Sequence, residues 1–248
     1  MARSAAPARA KAGAKAAAKD TQWQDRISLI IPCYNAELYI SEALASALSQ
    51  SRAPDEIIVI DDGSTDASAT IVEAMRVPQL RLVRRAHQGD PAGRNFALEI
   101  ARGGLIAFLD ADDLWPADSL ALRLEALNAH PEKDYCYGAV DQFPSPDLDP
   151  SRRIADAPPV TGRMLGASLF RRSVFDRLGG FDPSINFGYV MEWLARAQQA
   201  GIAGIGIHRL VLRRRIHNSN SVYDEAALRA HYLRAIRSTL RLRRSGPA

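Results

Sequence analysis

The chain has 248 residues and a mass of 27.1 kDa, with 47% of its residues apolar, enough to bury a core as one large domain or two small ones. Two cysteines, Cys33 and Cys136, exclude a disulfide scaffold and a four-ligand zinc site; both lie in apolar runs, as reduced core thiols do. No apolar stretch approaches the ~20 residues of a membrane helix, and the N-terminus lacks the apolar run of a secretory signal. A soluble, cytoplasmic protein is expected.

The net charge of +4 is unevenly spread. Residues 1–19 carry five cations and no acid, residues 20–208 carry 17 cations against 26 acids, and residues 209–248 carry ten arginines against Asp224 and Glu225. An acidic middle with a basic C-terminal end suits a site where carboxylates hold a metal while cations face phosphates. Nucleic-acid binders more often spread positive charge over the folded body, so no nucleic-acid partner is expected.

Residues 1–20 are almost wholly Ala, Lys, Arg, Gly and Pro, and read as a disordered basic tail outside the fold. Ile27–Ile31 is an apolar run of buried-strand length closed by Pro32, and Tyr39–Ser49 repeats apolar residues at helical spacing. Glu56–Ile60 predicts a second strand, and Ser64 to Met75 a helix opened by Ser, Thr and Asp caps. Leu80–Arg84 predicts a third strand, Pro91–Ala101 a helix with proline at its start, and Leu105–Leu109 a fourth strand. Asp118–Ala129 predicts a helix and Tyr135–Val140 a strand. This alternation implies a mainly parallel sheet with helices on both faces, with ligands at the carboxyl ends of the strands.

Beyond Gln142 the pattern changes. Phe143–Pro159 holds five prolines and reads as a long surface loop. Arg163–Arg171 predicts a strand, Phe187–Gln199 a helix, and Ile202–Ile216 one or two strands. In Asp224–Leu242 the spacing of Leu228, Tyr232, Ile236 and Leu240 predicts an amphipathic helix on the body. The expected organisation is a tail (1–20), a ligand-binding half (21–142), a second half of the same domain (143–221) and a C-terminal helix (222–248).

Two acidic clusters fall at strand ends: Asp61-Asp62-Gly63-Ser64-Thr65-Asp66 after the second strand and Asp110-Ala111-Asp112-Asp113 after the fourth. One such cluster is explained by a helix cap and a solvated turn. Two at corresponding ends point to a cation, and an Asp-x-Asp pair suits an oxygen-preferring Mg²⁺ or Mn²⁺ with phosphate ligands. Zinc is disfavoured because no Cys/His cluster accompanies it.

The segments ISLIIPCYNAE, EIIVIDDGSTDAS, HQGDPAGRNFALEIARG and LIAFLDADD, in order from Ile27 to Trp115, resemble the family 2 inverting nucleotide-sugar glycosyltransferases, which have the GT-A fold, a Rossmann-like α/β architecture. A looser likeness continues through LGASLFRRSVFDRLGGFD, LARAQQAG and RRRIHNSNS to about Ser221. The resemblance implies a nucleotide-diphosphate-sugar donor, most plainly a UDP-hexose, and an acceptor that is a peptide side chain, a saccharide or a small molecule. It assigns Pro32, Cys33, Tyr34, Asn35 and Glu37 to the nucleoside cradle, Asp62 to the uracil edge with Asp61 supporting the turn, and Arg94 to the base and diphosphate. It assigns Asp110 to ribose or metal, Asp112 to the metal with Asp113 auxiliary, and His217, Asn220 and Ser221 to a flap closing on the diphosphate or metal.

The family commonly shows Gly-Glu-Asp-x-(Asp/Glu) at the start of the helix after the GGFD element, its second acid being the general base. Here Gly188 is followed by Tyr189 and Val190, and Val190 cannot accept a proton. Glu192 is the nearest substitute, with Asp141 and Asp182 as alternatives. Two other readings are an acceptor acidic enough to need little help, such as a thiol, and a nucleotide-sugar-binding or scaffold protein without turnover. Trp115 and Trp193 lie at turn or helical spacing, where a core role outweighs sugar stacking. The arginines at 213–215 either face the diphosphate on alternate strand positions or form a solvated edge.

Overall fold

The computed structural model describes residues 23–152, 154 and 157–218. The tail expected at 1–20, the helix expected within 222–248, Asn220 and Ser221 lie outside the described residues.

The elements in order are β1 (Ile27–Cys33), α1 (Ile40–Leu48), β2 (Glu56–Asp61), α2 (Ser68–Ala74), β3 (Leu80–Arg84), α3 (Asp90–Ile100), β4 (Leu105–Phe108), α4 (Ser119–Ala129), β5 (Tyr135–Pro144), β6 (Val160–Thr161), β7 (Ser168–Arg171), α5 (Ser173–Leu178), α6 (Tyr189–Gln199) and β8 (Gly204–Ile216). One sheet runs β3-β2-β1-β4-β7-β5, with β6 and β8 both paired to β5. The β3-β2-β1-β4 stretch is parallel, β7 is antiparallel to both β4 and β5, and β8 is parallel to β5.

Both faces of this sheet are covered, which is why β1 and β2 read as continuous apolar runs rather than alternating ones. Leu29, Ile31, Ile57 and Val59 pack toward α1, α2 and α4, against Ile40, Leu44, Val72, Leu120 and Leu127. Ile30, Ile58, Ile60 and Phe108 face α3, α5 and α6, against Ala97, Val174, Phe175 and Trp193. The period of two along each strand divides the two half-cores. Trp193 is wholly buried among Phe170, Phe175 and Phe181, and Trp115 is buried with its indole N–H donating to the Gly166 carbonyl at 2.8 Å. Both tryptophans are core.

Several expected boundaries move, each for a local reason. β1 continues through Pro32: the β4 ladder ends at Ile30 and Phe108, so proline sits where one edge of β1 is already unpaired. The helix expected from Ser64 begins at Ser68, because the preceding turn takes up the caps. Asp61 accepts from Ser64 N, Asn35 Oδ1 from Thr65 N, and Asp66 Oδ1 from Ser68 N. The strand expected over 163–171 is confined to Ser168–Arg171, and β6 and α5 were not anticipated. β5 runs to Pro144, so the boundary drawn at Gln142 falls inside a strand. Among the described residues no helix is long and apolar enough to cross a membrane.

Candidate active site

The carboxyl ends of β1, β2 and β4 open into a cavity of about 530 Å³. A larger recess of about 1060 Å³ lies at the amino ends of β1 and β4. Its Arg171 and Arg172 donate to the carbonyls of Lys133, Leu127, Gly103 and Leu98, and Arg102 pairs with Glu56.

One wall of the smaller cavity is built by the turn after β1. Asn35 adopts φ +48°, a left-handed conformation that asparagine tolerates, and its side chain and backbone bind Thr65 N and Ser64 Oγ. Tyr34 projects, 49% exposed, with its ring 4.3 Å from that of His87. Pro32 and Cys33 line the floor, and burial pushes the Cys33 thiol up to about 12. Glu37 does not line the cavity: its carboxylate accepts from Ala67 N at 2.9 Å, tying the β1 turn to the start of α2.

Asp61 and Asp62 divide the work at the end of β2. Asp61 is buried and braces the turn through Ser64, away from the cavity. Asp62 lines the cavity and accepts from Gln88 N at 3.0 Å and Gly89 N at 2.8 Å, with His87 Nδ1 3.0 Å from Oδ2. Gly89 holds φ +90°, and a Cβ there would meet Asn186 Oδ1 at 3.0 Å; glycine lets this backbone approach the carboxylate.

Arg94 is the buried cation of the site. Its Nε donates to Asp90 Oδ1 at 2.8 Å, its Nη2 to Asp110 Oδ1 at 2.5 Å, and its Nη1 is buried with no partner. Burial opposes the guanidinium charge, but Asp90, Tyr189 and Asp110 outweigh it and lift the pKa well above its ordinary value. Asp90 is in turn bound by the Tyr189 hydroxyl at Oδ2.

Asp110, Asp112 and Asp113 place carboxylate oxygens within 4.8 Å of one another. His217 Nε2 lies 2.8 Å from Asp112 Oδ2, and the His217 ring packs 4.6 Å from that of Tyr39. Asp113 accepts from Arg215 N at 2.9 Å; burial, then Asp110 and Asp112, push its carboxyl well above the usual range. Three crowded carboxylates with one raised in this way form a hard oxygen set with excess negative charge, which fits Mg²⁺ or Mn²⁺.

The three consecutive arginines near the end of β8 go separate ways. Arg213 is exposed with Asp141 at 3.8 Å, Arg214 lines the cavity, and Arg215 is buried, donating to the Asp112 carbonyl and pairing with Glu42. Glu192 stands apart from the cavity: it is buried, and both its oxygens bind Arg196, at 2.6 and 3.1 Å. Arg196 also donates to the carbonyls of Leu178 and Gly180. Through Arg196, Glu192 braces the turn after α5, and the residue expected as base lies outside the cavity. Of the other expected residues, Pro32, Tyr34, Asn35, Asp62, Arg94, Asp110, Asp112 and His217 share the cavity. Sequence reasoning passed over His87 and Asp90, both within the HQGDPAGRN segment; two titratable side chains within two residues of Gly89 were the available signal.

The chain is 39% identical over 108 residues to the putative teichuronic acid biosynthesis glycosyltransferase TuaG of Bacillus subtilis, covering 42% of this chain and 43% of that one. It is 38% identical over 102 residues to the UDP-Glc:alpha-D-GlcNAc-diphosphoundecaprenol beta-1,3-glucosyltransferase WfgD of Escherichia coli, covering 41% and 40%. These matches span less than half of each relative's length. The crystal structure of S. aureus TarS 1–349 in complex with UDP superposes with a TM-score of 0.67 at 20% identity, over 86% of this chain and 64% of that one, a likeness of fold. The profile of glycosyl transferase family 2 matches residues 28–181, and the chain belongs to that family.

Proposed function

We propose that this chain transfers a hexose from a UDP-hexose to an acceptor hydroxyl, amide or thiol, with inversion at the anomeric carbon and dependence on Mg²⁺ or Mn²⁺. The observation that carries the reading is one cavity in which the Asp110-Asp112-Asp113 cluster adjoins a buried, partnerless guanidinium nitrogen, Nη1 of Arg94. A buried N–H without an acceptor is costly and matches a ligand oxygen, as a phosphate offers. Arg214, on the same wall, adds a second cation.

Asp110 and Asp112, with Asp113 and His217 beside them, would hold the ion. Bound there, it neutralises the diphosphate and stabilises the charge that develops as the sugar–phosphate bond breaks. Arg94 and Arg214 contribute to the same stabilisation from the protein side. Tyr34 and His87 offer ring faces to the base, and Asp62 a carboxylate that can accept the N3–H of uracil. The UDP complexes of a fold neighbour and the UDP-Glc named for one relative support a uridine donor. The acceptor classes remain a peptide side chain, a saccharide or a small molecule.

A second reading, a nucleotide-sugar-binding or scaffold protein without turnover, is favoured by Val190 where the family's usual base stands. Both are tested by following UDP release from a panel of UDP-sugars with Mn²⁺, with Mg²⁺ and with chelator, beside calorimetric UDP binding. Cation-dependent release supports the transferase; UDP binding without release from any donor or to any acceptor supports the binding protein; neither binding nor release sinks both.

A further inference from the structure

Resting on the donor reading above, we propose that Asp90 is the general base of the transfer, taking the place of the acid that is absent at Val190. Val190 in that turn packs against the apolar cluster containing Phe181 and Trp193, and Glu192 is held by Arg196. Asp141 faces Arg213, and Asp182 accepts from Ser184 N at 2.9 Å; neither borders the cavity. Five carboxylates do border it. Asp62 is committed to Gln88, Gly89 and His87, and Asp110, Asp112 and Asp113 form the cation set. Asp90 is left, with its side chain 39% exposed.

Its setting suits the task. Asp90 is the first residue of α3 and Tyr189 the first of α6, so the hydroxyl of Tyr189 on Oδ2 ties Asp90 to the turn in which the family pattern described above implies a base. Arg94 Nε on Oδ1 fixes the other oxygen, and each oxygen keeps a lone pair for a proton. In the step, the acceptor O–H gives its proton to Asp90 while the oxygen electron pair forms a bond to C1 of the sugar. The bond from C1 to the phosphate oxygen breaks, and its electron pair leaves on UDP. With water as acceptor the products are free hexose, UDP and protonated Asp90. Tyr189 is a positioning residue.

The test uses the full chain and UDP-hexose with water as acceptor, then with sodium azide, an anion that attacks C1 without giving up a proton. UDP affinity by calorimetry and UDP release are measured for wild type, Asp90→Asn and Tyr189→Phe. Asp90→Asn is expected to keep its UDP affinity within about threefold, to lose release to water by about 10²–10⁴-fold, and to regain at least about tenfold with azide. Tyr189→Phe is expected to lose about tenfold and to be rescued in the same way. Release to water retained by Asp90→Asn, or loss without azide rescue at unchanged UDP affinity, overturns the assignment, as does loss of UDP affinity, which would make Asp90 a donor ligand. Asp90→Ser supplies the same comparison if the asparagine variant does not fold. A wild-type chain that does not bind UDP, or releases none to water or azide, instead overturns the transferase reading on which this one rests.

Discussion

His217 Nε2 meets Asp112 Oδ2 at 2.8 Å across 105 residues of chain. The meeting is arranged by a two-bond bridge just beyond each residue's neighbours: Leu114 N donates to the Arg213 carbonyl at 3.0 Å and Arg213 N to the Leu114 carbonyl at 2.8 Å. That bridge seats the end of β8 on the loop after β4, and Arg215 locks it by binding Asp113 and the Asp112 carbonyl. His217→Gln keeps a polar side chain but cannot reproduce the imidazole. It is expected to weaken Mn²⁺ activation of UDP release by about 10–100-fold, and Asp112→Ala to abolish that activation. A cation titration of the release rate checks both, and full activation in either variant would remove the residue from the cation site.

Glu192→Gln separates structure from catalysis. Losing one charge of the buried Glu192–Arg196 pair is expected to cost about 1–3 kcal/mol, moderated because Arg196 keeps the Leu178 and Gly180 carbonyls. Thermal melting is expected to show a midpoint several degrees lower, with UDP release per folded molecule within about threefold of wild type. A large loss of rate in a fully folded variant would return Glu192 to the candidate bases.

Trp193→Ala should empty the aromatic cluster. The indole stacks 5.2 Å from Phe175 and meets Phe170 and Phe181 edgewise or tilted, and its N–H donates to the Gly179 carbonyl at 3.1 Å. A loss of about 3–5 kcal/mol is expected in urea unfolding. A cost below about 1 kcal/mol would contradict the packing described here.

The two thiols give a prediction with a defined pH dependence. Burial pushes Cys33 up to about 12 and Cys136 up to about 11, so at pH 8 the thiolate fractions are about 10⁻⁴ and 10⁻³. Native protein is expected to resist iodoacetamide at pH 8, and to take up two labels per chain by mass spectrometry once unfolded. Rapid native labelling at Cys33 would show a floor of the cavity far more open than the structure has it.

The sequence by itself determined the strands β1 to β4, the helices between them and the positions of both acidic clusters, because each rests on local physics. Apolar runs mark the buried parallel strands β1, β2 and β4, alternating Leu, Arg and Val mark the edge strand β3, helical spacing marks α1, α3 and α4, and carboxylates after a strand must lie at its carboxyl end. Only the tertiary structure decided that β7 enters antiparallel between β4 and β5, since strand order depends on long-range pairing that no local pattern encodes. It also decided the fate of individual charges. Glu192 and Asp90 are equally acidic as letters, yet one is spent on Arg196 and the other borders the cavity between Arg94 and Tyr189. Whether a carboxylate is available for chemistry follows from its partners and its burial, which are properties of the fold and not of the residue.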